Sequence, residues 1–137
     1  MELKKGERVL VATVLIMPWE GGYNIYKRGS VKSAFKTITK EFGGDFILTN
    51  KRLIIESGLG KLDLMDAKTE VAVESIGYYA TRESNLRKLF PMNPNKALRI
   101  GFTELNEKKE VCIYMSEEKI REWIKQLKEL GIKEEIA

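Results

Sequence analysis

Gly44-Asp45-Phe46-Ile47-Leu48-Thr49-Asn50-Lys51-Arg52-Leu53-Ile54-Ile55 holds two short apolar runs, 45–49 and 53–56, on either side of Asn50-Lys51-Arg52. Each run is strand-sized and rich in β-branched residues, and asparagine tolerates the positive φ of a tight turn, so the stretch predicts a β-hairpin with Asn50 at its bend. Arg52 is expected to serve that turn by pairing with a neighbouring carboxylate or carbonyl.

Working outward, the same signal recurs along the chain. Residues 7–16 form an apolar run, Val9 to Ile16, closed by Pro18 and Gly21-Gly22, and read as a first strand buried on both faces for part of its length. Residues 69–76 and 78–82 read as strands separated by Gly77, and 97–103 and 110–115 as two more joined by a polar turn at 104–109. Residues 61–68 and 84–95 read as connections, the latter carrying Pro91 and Pro94.

Residues 30–42 admit two readings. Val31, Ala34, Phe35, Ile38 and Phe42 have helical spacing between Ser30 and Gly43-Gly44, whereas Val31, Thr37, Ile38 and Thr39 are β-branched and alternate as in a strand. The strand is preferred, and the sequence leaves the choice open.

The last element differs in period. Ile120, Trp123, Ile124, Leu127 and Leu130 lie on one face of a helix spanning about 116–130. Ser116 is placed to cap it, Glu117 and Glu118 to complement its dipole, and Gly131 to end it. About seven strands and one amphipathic helix predict a mainly β (α+β) fold, a bent antiparallel sandwich or barrel capped by the C-terminal helix, with Trp123 as its plug. The 137 residues fit one domain with one core, and 43% hydrophobic with 32% charged residues exclude disorder.

Composition also narrows the chemistry. The chain has no histidine, which removes the usual general base near neutral pH, the common catalytic triads and imidazole metal sites. Its single cysteine, Cys112, lies in an apolar stretch and reads as a small core residue of a protein in a reducing, cytoplasmic compartment. Lys4, Lys5 and Arg8 before the apolar run resemble a secretory leader, but Glu2 and Glu7 interrupt the basic part and Pro18-Trp19-Glu20 stands where small residues would be needed. Ser57-Gly58-Leu59-Gly60-Lys61-Leu62 lacks a phosphate loop's first glycine and its final hydroxyl, and Asp63 with Asp66 makes too small a set for a metal. No catalytic residue, metal or cofactor is expected.

Charge gives the one functional lead. Residues 61–137 hold fourteen bases and fourteen acids, whereas 1–60 hold ten bases and six acids, and 21–40 hold five bases and no acid. Lys27, Arg28, Lys32 and Lys36 are therefore the candidate ligand-binding residues, facing an anionic lipid headgroup or a membrane surface. Trp19 reads either as an aromatic anchor beside them or as packing over a sheet edge. Tyr78-Tyr79 with Arg82, Arg87 and Lys88 offers a weak platform for single-stranded nucleic acid, since alternation would bury one tyrosine. Nucleic acid is accordingly not the expected partner.

The opening stretch, following an early Gly6-Glu7, resembles the G-x-x-x-L-T-N-x-R-L-I signature of GRAM and bacterial PH-like domains, and the terminal helix resembles that of the PH superfold. The resemblance departs at 18–43, which is longer than a hairpin loop. It implies a PH-like fold without catalytic activity that binds phosphoinositides, other lipids or proteins, with oligomerisation among some bacterial relatives. It also implies phosphate contacts from bases near the first strand pair, in the region of Lys27, Arg28 and Lys32. A protein partner or a homo-oligomer without lipid affinity is the alternative.

Overall fold

A computed structural model describes residues 3–15, 23–28, 35–41, 44–57, 68–83 and 96–135. Among them are nine strands: β1 (Val9–Leu15), β2 (Tyr23–Arg28), β3 (Phe35–Glu41), β4 (Gly44–Thr49), β5 (Arg52–Ser57), β6 (Lys68–Ala72), β7 (Ile76–Glu83), β8 (Lys96–Glu104) and β9 (Glu107–Tyr114). Helix α1 (Glu117–Glu129) follows. The strands form two antiparallel sheets, one in the order β1-β4-β5-β6 and one in the order β3-β2-β9-β8-β7. Setting β2 and β3 aside leaves a four-strand meander, a three-strand meander and a helix; the β2–β3 hairpin is inserted between β1 and β4 and added to the edge of β9.

Alternation places Phe46 and Leu48 of β4 and Leu53 and Ile55 of β5 in one core with Leu98, Ile100, Phe102, Val111 and Ile113 of the other sheet. Helix α1 seals that core with Ile120, Trp123 and Leu127. Trp123 is fully buried, and its indole N–H donates to Thr13 Oγ1 at 2.8 Å, so the plug is tied to β1 by a satisfied polar bond. Ser116 Oγ accepts from the Lys119 N–H, and Gly131 at φ 83° ends the helix where a side chain would be strained. Beyond it the chain returns to β7: the Tyr79 N–H donates to the Lys133 carbonyl and the Glu135 N–H to the Tyr79 carbonyl.

Several expectations change. Residues 35–41 are a strand, as the β-branched residues indicated. Strand β2 is an addition to the expected set; its Tyr23, Ile25 and Tyr26 carried the signal. In β1, Ala12 is exposed and Val9 is 43% exposed while Thr13 is buried, so one face is open to water between Val9 and Thr13; the side chains of 14–16, where burial on both faces was also expected, lie outside the described residues. The break expected at Gly77 falls instead at Val73–Ser75, a 3-10 turn, and Gly77 sits inside β7 at a register shift. The turn between β8 and β9 is only Leu105-Asn106, not 104–109.

Candidate functional site

Sheet pairing decides what the basic segment becomes. Lys27 and Arg28 lie on β2 and Lys36 on β3, whereas Lys32 lies outside the described residues. Lys27 is directly opposite Lys36 on one side and Lys109 of β9 on the other, so three lysines form one row across three strands. The register sets the three at directly opposed positions, and alternation gives Lys109 the same face of β9 as Val111 and Ile113 of the core. Like charges directly opposite one another are destabilising. Lys109 escaped the sequence reading because Glu107-Lys108-Lys109-Glu110 is charge-balanced, and only the pairing of β9 with β2 brings it beside Lys27.

Around this row, Lys109 Nζ meets Glu104 Oε1 at 2.7 Å near the turn of the β8–β9 hairpin. Next to it lies an open pocket of about 160 Å³ lined by Tyr78, Gly101, Phe102, Thr103, Lys108 and Lys109. Gly101 is needed here, since a β-carbon at that position would fall 2.0 Å from the Tyr78 ring. The Tyr78 hydroxyl donates to Glu110, which also accepts two bonds from Arg99, at 2.6 and 2.8 Å. Glu110 is 3% exposed, and this carboxylate raises the Arg99 pKa above its ordinary value. A buried acid held by a bidentate guanidinium and a phenol is structural, because its oxygens are already engaged.

The signature hairpin has the same character. Arg52 Nε donates to Glu7 Oε2 at 2.9 Å and Nη2 to Oε1 at 3.1 Å, while Nη1 meets Glu70 at 3.1 Å. Thr49 Oγ1 donates to Glu7 at 2.6 Å and accepts from the Arg52 N–H. Hydrogen bonds from Arg52 first, then Thr49 and the Lys4 N–H, hold the Glu7 carboxyl at about 2, against 4.5 ordinarily. Arg52 thus has the carboxylate partner expected of it. Asn50 works differently from the expectation: the non-glycine residues with positive φ are Leu105 and Asn106 among the described residues. Its carboxamide instead donates to the Gly6 carbonyl and accepts from the Arg8 N–H, fastening the N-terminal segment.

The remaining candidates divide simply. Tyr79 is 2% exposed and burial pushes its phenol pKa up, so it offers nothing to a base; Tyr78 is half-buried. Cys112 is fully buried. Trp19, Gly58–Leu62, Asp63, Asp66, Arg87 and Lys88 lie outside the described residues, as does the side chain of Arg82. Among the described residues no helix is long and apolar enough to cross a membrane. No family model matches this chain, and no curated protein matches it.

Proposed function

We propose that this chain is a non-catalytic binding module of PH-like fold, acting in the cytoplasm and at the surface of anionic membranes through the β2–β3 hairpin. The observation that carries the reading is the lysine row Lys36–Lys27–Lys109. Three lysines at directly opposed register positions, with Glu104 the acid paired to one of them, leave a surplus of positive charge that an anionic headgroup or surface would relieve, each base near such a surface contributing about 1 kcal/mol. Arg28 is the last residue of β2, at the same end of the sheet, and Lys32 belongs to the same acid-free segment. The PH-like assignment is supported by the four-strand meander, three-strand meander and helix, with the insertion between β1 and β4 filling the stretch where the sequence departs from the family signature. The absence of histidine supports the non-catalytic assignment.

Self-assembly through a strand edge is the competing use of the same hairpin, since β3 ends its sheet among the described residues. Lys36 and Lys40 on that strand oppose edge-to-edge pairing, which favours the membrane reading. The test is flotation with vesicles of phosphatidylcholine alone or mixed with phosphatidylserine, at low and high salt. Wild type is expected to float with the anionic vesicles at low salt only. A variant with Lys27, Arg28, Lys32, Lys36 and Lys109 changed to Glu should stay behind. Absence of flotation together with a concentration-dependent oligomer would replace this function by self-assembly.

A further inference from the structure

The β8–β9 turn is built at a cost that packing does not explain. Leu105 and Asn106 have φ of 51° and 66°, the backbone of a two-residue hairpin turn whose preferred residues are Asn and Gly. A branched aliphatic side chain is disfavoured there. Leu105 receives nothing from the fold in return, being 90% exposed. A single exposed leucine is ordinary on a protein surface; an exposed leucine at positive φ on a hairpin tip is not.

The register gives this tip its surroundings. Strand β2 runs antiparallel to β9, so from Lys27, opposite Lys109, it advances to Arg28 in the direction of the turn. Lys109 is four residues beyond Leu105, about 13 Å along an extended strand. Lys27, Arg28, Lys36, Lys108 and Lys109 therefore lie at the same end of the sheet as the tip, against Glu104, already paired with Lys109, and Glu107. An apolar side chain projecting from a hairpin, backed by a surplus of cations, matches the two layers of an anionic bilayer: acyl chains for the leucine, headgroups for the bases.

We infer that Leu105 is a membrane-inserting residue, entering the acyl boundary of an anionic bilayer while the lysine row holds the headgroups. This rests on the anionic-surface function above and adds a contact that salt does not screen. Two variants test it on vesicles of phosphatidylcholine with phosphatidylserine. In Leu105→Cys, labelled with an environment-sensitive fluorophore while the buried Cys112 stays unreactive, emission should shift to the blue and be quenched by brominated acyl chains. Leu105→Asn, which suits positive φ, should raise Tm by about 3 °C and weaken vesicle binding about tenfold.

A label that stays in water on vesicle-bound protein, or Leu105→Asn binding as wild type does, would overturn insertion and leave the anionic-surface function standing. An unchanged or lowered Tm would overturn the premise that leucine is held there at a cost. Wild type that floats with neither vesicle would overturn both readings.

Discussion

The two hairpins that follow β1 differ in almost everything except their topology. In β4–β5, Phe46, Leu48, Leu53 and Ile55 are at most 1% exposed, and the turn is fastened to the N-terminal segment by Glu7, Thr49, Asn50 and Arg52. In β2–β3, lysine stands opposite lysine, and β3 has a neighbouring strand on one side only among the described residues. Burial makes the inward face of the first hairpin intolerant of change, since its large apolar side chains are withdrawn from water and the buried Thr49 and Arg52 must keep their partners. The second can carry charge repulsion because it lies at the end of a sheet. Buried structure is concentrated in the first hairpin, and the proposed binding function falls to the second.

That contrast can be broken or sharpened by substitution. Phe46→Ala in β4 should cost about 3–5 kcal/mol in urea unfolding, with vesicle binding unchanged in the protein that remains folded. Thr49→Val should cost about 1–3 kcal/mol, because Glu7 loses a donor and the Lys51 and Arg52 N–H groups lose their acceptor. If either variant selectively abolished vesicle binding, the division between the hairpins would fail.

Acid should reach the first hairpin through Glu7. The Glu7 carboxyl is held near 2 in the folded chain and titrates near 4.5 when unfolded, so the unfolded state takes up this proton first. The stability given by its partners is complete above pH 4.5 and is lost as the pH falls towards 2. Glu7→Gln should flatten that part of a Tm-against-pH profile, and an unchanged acid limb would show that Glu7 is not the group responsible. The smallest effect belongs to β3. Lys36→Glu replaces a like-charge pair with an opposite one, so stability should rise by about 0.2–1 kcal/mol while flotation with anionic vesicles weakens. Lower stability would mean that Lys36 supports the fold.

Much of the first hairpin was legible because its signals are local. Alternation at 45–49 and 53–56 marks the strands, and the need of a buried guanidinium for a counter-charge anticipates a partner for Arg52. Its identity, Glu7, was not legible, because the two residues meet only when the N-terminal segment lies over the turn. The Asn50 expectation failed for a related reason: a carboxamide can set a bend through φ or through its own hydrogen bonds, and the nearby Gly6 and Arg8 backbone groups select the second. The basic candidates were legible as a charge bias, but their arrangement was not.

By itself the sequence determined a strand-rich chain sealed by one C-terminal helix, a core containing Trp123, an acid-free basic segment and the lack of any histidine, because period, composition and charge are properties of neighbouring residues. Tertiary structure decided that 35–41 pairs as a strand, that Lys109 completes a row with Lys27 and Lys36, and that Leu105 stands exposed at a cationic tip. These depend on β2 adding to β9, a pairing of residues distant along the chain. Such pairing is fixed by the register of a whole sheet and by no residue within it.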